Sequence, residues 1–231
     1  MTSEQRKALD WLSREPALHI SMTEPLRLGK AQGLAVCSRG VALTLEDVAM
    51  VAAEDLETAL HLVEQVGDWN QMTVAGSRLT GQVCQALGLK VTCPCHQAVY
   101  WGREPLAVEG DIRPLDMGYF PQILEGYHLF HDPEYIEERI GAGVFFGAFV
   151  DGQLAGFVGE HSEGSMGMLE IFPGYRRRGL GYALECFQIN RYLSQGRVPF
   201  DQVVVGNEKS MSLQKKVGME LSRDTVSWLA K

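Results

Sequence analysis

Two kinds of hydrophobic pattern run along this chain and predict a mixed α/β protein. Short apolar runs between turn residues predict strands, and apolar residues one helical turn apart predict helices. For the first half, the predicted elements are a helix over 3–14, strands over 34–38 and 41–45, a further apolar run over 48–53, a helix over 55–66, a strand over 72–75, a helix over 77–87 and a strand over 91–101. Gly88 is the predicted C-cap of the helix over 77–87. Strands followed by alternating helices and strands are typical of a mixed α/β unit.

Clear start and turn signals divide the second half. Asp132-Pro133 is a helix start, with aspartate as N-cap and proline at the first helical position, and Asp151-Gly152 predicts a tight hairpin. The predicted elements are a strand over 111–114, helices over 116–127 and 133–140, strands over 144–150, 154–161 and 166–172, a helix over 178–195, a strand over 202–205, a helix over 207–218 and a strand over 220–229 that closes the sheet.

The two halves are separated by a predicted linker. Arg103-Glu104-Pro105 begins it, and it ends near Glu109-Gly110, so we expect one domain over 1–104 and a second over 109–231. The first half shows a blurred version of the element order of the second, and one interpretation is a degenerate copy of the same fold. Because it has no Gly-rich turn before a helix, we expect no cofactor site there.

Composition and charge narrow the function classes. A net charge of −8 argues against nucleic acid as a partner. The chain has no run of eighteen apolar residues and a charged N-terminus without a signal-peptide core, so we expect no membrane span and a cytoplasmic location. The five cysteines predict free thiols, and Cys93-Pro94-Cys95-His96 lacks the second ligand pair of a zinc site, so we expect no metal.

The stretch 169–183 carries the strongest chemical signal. An apolar strand leads through Pro173-Gly174 and three arginines into a helix-compatible run containing Gly179 and Gly181. Backbone N–H groups and the helix dipole at such a junction favour an anion, and glycines let a phosphate approach the backbone. We therefore expect a phosphate-bearing cofactor. A Rossmann fingerprint fails because Leu184 stands where a third glycine is needed, and no Gly-Lys-Ser/Thr tripeptide of a Walker motif is present.

The spacing Arg176-x-x-Gly179-x-Gly181 resembles the pyrophosphate-binding motif of the GNAT superfamily, the acyl-CoA-dependent N-acyltransferases. The segment 169–173 is similar to the fourth strand of that family, and 207–219 is similar to its Asn-containing helix and the following turn. Together these segments cover about half of the chain. The resemblance implies an α/β fold with a mixed, mostly antiparallel sheet flanked by helices. The two-half layout resembles the glycine N-acyltransferase-like branch.

The resemblance also implies how acetyl-CoA is held. It assigns the pantetheine arm to the backbone of Leu169, Glu170 and Ile171. It assigns the pyrophosphate to the backbone N–H groups of Arg177, Arg178, Gly179, Leu180, Gly181 and Tyr182, with Arg176, Arg177 and Arg178 adding charged contacts. These contacts would place the cofactor between the strands over 166–172 and 202–205. Asn207 matches a cofactor-contacting asparagine, although its place before a helix is equally typical of an N-cap.

The catalytic residues are predicted less directly. Glu170, inside an apolar strand, is the first candidate for the general base, and His161 is the second; Glu160 and Glu163 are further candidates. Many family members carry a tyrosine as general acid where this chain has Gln214. Tyr119, Tyr127 and His128 fall in the region that forms the acceptor wall in relatives.

The expected function is transfer of an acetyl group from acetyl-CoA to a primary amine, a small molecule. The alternative is a CoA-binding or sensing module with little or no catalysis. The sequence leaves the acceptor amine, the acyl length and the oligomeric state open.

Overall fold

The computed structural model describes residues 1–129 and 132–231. The described chain divides into two compact units. Unit 1 comprises residues 1–99, 202–211 and 220–231, and unit 2 comprises residues 100–201 and 212–219. The sequence-continuous division into 1–104 and 109–231 stays a prediction.

The first ninety-nine residues supply most of unit 1. Its elements from this part of the chain are α1 (Ser3–Leu12), α2 (Ile20–Arg27), β1 (Gly33–Cys37), β2 (Gly40–Leu45), β3 (Val48–Ala53), α3 (Leu56–Val63), β4 (Gln71–Ala75), α4 (Ser77–Leu87) and β5 (Lys90–Val99). The C-terminal strand β11 (Glu220–Ala230) also belongs to this unit.

The sheet of unit 1 runs in the order β1-β2-β3-β4-β11-β5. β1, β2 and β3 form an antiparallel meander, β3 and β4 are parallel, and β11 is antiparallel to both of its neighbours. One core cluster, around Leu12 and Met50, lies under α1 and α2, and a second, around Leu62 and Met72, lies under α3 and α4. Helices therefore cover both faces of the sheet.

Unit 2 contains the candidate anion loop. Its elements are β6 (Asp111–Pro114), α5 (Phe120–Gly126), α6 (Pro133–Gly141), β7 (Phe146–Val150), β8 (Gln153–Glu160), β9 (Met166–Ile171) and α7 (Leu180–Ser194). β10 (Phe200–Val204) and α8 (Glu208–Val217) have residues in both units.

The strands of unit 2 run antiparallel from β6 through β7 and β8 to β9, and β10 pairs parallel with β9 at Asp201 and Met166. One face of this sheet packs on α5 and α6 through a cluster that includes Ile123 and Ile136. The other face packs on α7 through Leu184. The predicted fold class, a mixed and mostly antiparallel sheet flanked by helices, is confirmed.

Several local predictions agree with the structure to the residue. α4 and β6 have the predicted bounds. Gly88 ends α4 in the left-handed conformation, with φ 68°. Asp151 and Gly152 have φ values of 50° and 78°, as a type I′ hairpin turn requires.

Other parts of the fold differ from the expectation. α2 lies in a stretch where the sequence predicts no element, and it contains Pro25, a residue that normally interrupts helices. The helix predicted over 116–127 is divided into a 3₁₀ turn, Met117–Tyr119, and α5. β11 forms where a strand is predicted, and its antiparallel ladders with both β4 and β5 place it inside the sheet of unit 1.

Membrane spans and metal clusters are both missing from the described part of the chain. Among the described residues, no helix has both the length and the apolar character needed to cross a membrane. In the same residues, no three His, Cys, Asp or Glu side chains converge as metal ligands would. Cys93 and Cys95 lie on β5 with their Sγ atoms 3.5 Å apart, and no disulfide joins the cysteines of the described chain.

Candidate active site

A β-bulge interrupts β9 just before the residues assigned to the pantetheine arm. Phe157 pairs with Glu170 and Gly159 pairs with Gly167, so Val158 of β8 stands opposite both Met168 and Leu169. Met168 adopts a positive φ of 49°. A bulge interrupts the regular hydrogen bonds between two strands. The backbone N–H groups of this segment are therefore suitable for binding a carbonyl group.

The bulge also decides which face each side chain of β9 occupies. Leu169 and Ile171 pack beside Leu184, on the face covered by α7. Glu170 is the cross-strand partner of Phe157, which belongs to the cluster under α5 and α6. The Glu170 side chain therefore projects from the face opposite to α7, the face that packs on α5 and α6.

The junction between β9 and α7 has the geometry of an anion site. Gly179 is the N-cap of α7 with φ 82°, and no side chain caps the helix there. Arg177 also has a positive φ, 66°. The first-turn N–H groups of α7 have no intrahelical acceptor, so they and the helix dipole remain available to an external anion.

The space in front of this junction is open. A Cβ atom built on Gly179 meets no heavy atom within 4 Å, so a ligand can approach the backbone there. A Cβ atom built on Gly181 would lie 3.7 Å from Ile171 Cγ1, which is an ordinary van der Waals contact. The surrounding protein therefore leaves room for a side chain at this position. Leu180 packs against the core under α7. The residues present thus fit a bound pyrophosphate.

The three arginines of the loop have different surroundings. Arg176 folds back on β9: its Nε donates to the Ile171 carbonyl at 2.9 Å, and its Nη2 donates to Glu170 Oε1 at 3.1 Å. Arg178 lies over the ring of Tyr175, at 5.6 Å from the centroid. Among the ion pairs found in the described chain, Arg176 has one, and Arg177 and Arg178 have none.

One further cation lies near the loop, and the sequence analysis does not predict it. The Nζ of Lys216, on α8, lies 4.9 Å from the ring centroid of Tyr182, in the first turn of α7. It adds positive charge beside the candidate phosphate site. The sequence alone does not show this contact, because Tyr182 and Lys216 are 34 positions apart in the chain.

His161, the second candidate base, forms a pair with Tyr135. The tyrosine hydroxyl lies 3.0 Å from His161 Nδ1, accepts a hydrogen bond from Ser162 N at 3.1 Å, and has a ring stacked on the imidazole. Burial raises the pKa of Tyr135 to about 12, so the hydroxyl keeps its proton. The hydrogen bond between the two side chains therefore occupies Nδ1 of His161, whichever of the two groups is the donor.

Glu160 and Glu163 stabilise the turn between β8 and β9. Glu160 is buried and forms ion pairs with Arg191 at 3.1 Å and Arg197 at 2.7 Å. Glu163 is also buried and accepts a hydrogen bond from Ser165. Both carboxylates are engaged inside the protein, which leaves Glu170 as the partly exposed acid among the four candidates.

The position expected for a tyrosine acid is part of a buried polar cluster. Gln214 is 1% exposed, and its Nε2 donates to Asp201 Oδ2 at 2.6 Å. Burial, and next to it the charge of Asp201, raises the pKa of the neighbouring Glu185 to about 8. The amide of Gln214 is not acidic enough to protonate a leaving thiolate.

Asn207 has the local contact of an N-cap. Its Oδ1 accepts a hydrogen bond from Ser210 N at 3.1 Å, in the first turn of α8. The sequence leaves two roles open for Asn207. The structure shows it as an N-cap, and its contact with a cofactor stays a prediction.

Two of the three residues proposed for the acceptor wall, Tyr119 and Tyr127, pack in the core of unit 2, whereas His128 is exposed. Tyr119 meets Phe149 edge to face, with centroids 5.8 Å apart, and Tyr127 is buried among the residues under α5 and α6. In the structure, both tyrosine side chains pack in the hydrophobic core.

Comparison with known proteins finds a family model that matches part of the sequence and solved structures that share the fold. Residues 143–229 match the family model of FR47-like proteins. A putative GNAT-family acetyltransferase of Novosphingobium aromaticivorans is 20% identical, with a TM-score of 0.55 and coverage of 93% of this chain and 96% of the other. A GCN5-related N-acetyltransferase of Kribbella flavida is 14% identical, with a TM-score of 0.57 and coverage of 92% and 94%.

A Drosophila protein of the same fold is 15% identical, with a TM-score of 0.64 and coverage of 98% of this chain and 86% of the other. No curated protein matches the sequence. The matched segment contains β9, the arginine loop and α7, which carry the motif. The predicted resemblance is confirmed at the level of the fold: residues 143–229 match the FR47-like model, and the chain has the fold of the solved GNAT acetyltransferases.

Proposed function

We propose that this chain is an N-acetyltransferase that transfers the acetyl group of acetyl-CoA to a primary amine of a small molecule. The observation that carries the proposal is the uncapped N-terminus of α7, with Gly179 in the left-handed conformation, joined to the bulged strand β9 by the arginine loop. An acetyltransferase needs both an anchor for the pyrophosphate and a backbone donor for the acyl carbonyl.

The residues of this chain divide the work as follows. N–H groups from Arg177 to Tyr182 hold the pyrophosphate, and the backbone of 169–171 orients the pantetheine arm. A bulge N–H polarises the acyl carbonyl. Glu170 accepts the proton of the amine, directly or through a water molecule. When bound, acetyl-CoA supplies the activated acyl group.

A second function, CoA sensing without catalysis, is favoured by one observation. Gln214 occupies the position of the family's acid and is fixed by its bond to Asp201. Water can protonate a thiolate, so the enzyme proposal does not need an acid at this position. The two functions differ in turnover rather than in cofactor affinity.

The test combines calorimetry with a turnover assay. We expect CoA and acetyl-CoA to bind to the purified protein, and acetyl-CoA to release thiol in the presence of at least one member of a panel of small primary amines. Binding without thiol release on any amine would support the sensor. Absence of binding would overturn both functions.

A further inference from the structure

Arg176 differs from its two neighbours in where its guanidinium points. Two of its donors are used within the strand that precedes the loop, on Ile171 O and Glu170 Oε1, so the side chain bridges the start of the loop and the end of β9. A guanidinium is a planar fork that holds two acceptors in fixed relative positions. The two contacts together restrict the Glu170 side chain more than one exposed ion pair would.

The position of Glu170 makes this restriction relevant to the chemistry. Its carboxylate projects from the face of β9 that is opposite to α7, and its side chain is 26% exposed. A partly exposed glutamate without a partner samples several rotamers, whereas a proton acceptor must remain within hydrogen-bond reach of the amine. Arg176 supplies the partner that selects one orientation.

We propose that Arg176 is a positioning residue for Glu170 and not a ligand of the cofactor's pyrophosphate. The inference rests on the proposed acetyltransferase function and assigns a role that the loop's motif does not. Arg178, whose guanidinium lies over the Tyr175 ring beside the same loop, is the matched arginine that contributes charge to the phosphate site.

A double-mutant cycle on kcat tests the connection. Glu170→Gln is expected to lower kcat by ~10²–10⁴-fold, the usual contribution of a general base. Arg176→Gln is expected to lower kcat by about 10- to 100-fold, through misplacement of the carboxylate. In the Glu170→Gln background, Arg176→Gln should change kcat by no more than about 3-fold, since residues that act through one another are not additive.

Calorimetric titration with CoA supplies a readout that does not depend on turnover. Arg176→Gln should change the Kd for CoA by less than about 3-fold, while Arg178→Gln should weaken binding by about 10-fold, as expected for one charge-assisted contact. Arg176→Lys should recover only part of kcat, because an ammonium group cannot reproduce both contacts of the fork. It also serves as the cycle's variant if Arg176→Gln does not fold.

The outcomes separate this inference from the function on which it rests. An active wild-type enzyme with additive kcat effects, or with a CoA affinity that falls as much in Arg176→Gln as in Arg178→Gln, overturns the positioning role alone. A wild-type protein that binds CoA and has no turnover overturns the positioning role together with the acetyltransferase function. Non-additive kcat values with unchanged CoA affinity support the inference.

Discussion

Two strand-to-helix junctions of this chain have the same order of elements and opposite chemistry. In unit 1, β3 leads into α3 and pairs in parallel with β4; in unit 2, β9 leads into α7 and pairs in parallel with β10. The N-cap of α3 is Asp55, whose Oδ1 accepts a hydrogen bond from Thr58 N at 2.9 Å and whose Oδ2 pairs with Arg39. The N-cap of α7 is Gly179, and no side chain caps this helix.

The difference teaches how a helix N-terminus becomes, or does not become, a ligand site. Both helices present unpaired N–H groups and the positive end of a dipole. At α3 the protein supplies the anion itself, through Asp55, and the nearby Arg39 is neutralised by Asp55 and Glu54. At α7 it supplies cations and a glycine. The expectation that the first half lacks a cofactor therefore has a physical reason and stays a prediction.

The largest effect should come from giving α7 the chemistry of α3. Gly179→Asp places a carboxylate where the pyrophosphate is proposed to bind and should weaken CoA binding by ~100-fold or more, the equivalent of roughly two lost charge-assisted hydrogen bonds. Gly179→Asn has nearly the same shape, tolerates a positive φ and carries no charge, so it should lose much less. Calorimetry with CoA measures both.

Gly174→Asp is the control for charge in the same loop, because a Cβ at Gly174 also meets no atom within 4 Å. Equal losses of CoA affinity in Gly179→Asp and Gly179→Asn would show that the size of the side chain, and not its charge, weakens CoA binding. Equal losses in Gly179→Asp and Gly174→Asp would remove the N-terminus of α7 from the site.

The inner faces of the two helices give a second contrast. α3 buries Ala59, Leu62 and Val63, whereas α7 buries Glu185, whose pKa is raised to about 8 by burial first and by Asp201 second. A raised pKa means that the folded state binds this proton more tightly than the unfolded chain does. Its stabilising contribution is complete below about pH 4.5 and is lost as the pH rises towards 8.

We therefore expect the free energy of unfolding to decrease between pH 5 and pH 8, by at most about 1.4 kcal/mol per pH unit in the steep range. In Glu185→Gln, the free energy of unfolding measured with urea should not show the part of this pH dependence that comes from Glu185. Glu57→Gln, which removes an exposed acid from α3, is the control and should keep the wild-type slope. Identical pH slopes in the wild type and Glu185→Gln would mean that Glu185 is ionised throughout.

The contrast also shows which features a sequence can reveal. α4, β6, the left-handed Gly88 and the Asp151-Gly152 turn follow from residues adjacent in the chain, and the structure confirms each of them. The arginine loop is also a local feature of the sequence, and its role in binding a cofactor stays a prediction. Local steric and hydrogen-bonding rules act within a few residues, so a single sequence contains them.

Features that depend on distant partners are not predictable in this way. The place of β11 between β4 and β5 depends on ladders between residues more than 120 positions apart. The face of Glu170 depends on a bulge, and the engagement of Glu160 depends on Arg191 and Arg197. α2 forms despite Pro25 because it buries residues such as Ile20 and Met22 in the core of unit 1. Packing overrides local propensity at such positions.

The smallest expected effect comes from the opposite exchange, in which α3 loses its own anion. Asp55→Ala removes the cap and should lower the unfolding temperature by about 2–4 °C. Asp55→Asn keeps an oxygen acceptor for Thr58 N and should lose less. Calorimetry should give the same single equivalent of bound CoA for the wild type and both variants, because α3 has no glycine like Gly179 to let a phosphate approach its backbone. A second equivalent of CoA bound by Asp55→Ala would contradict this expectation, because the Asp55 carboxylate would then be the only feature that prevents CoA binding at the N-terminus of α3.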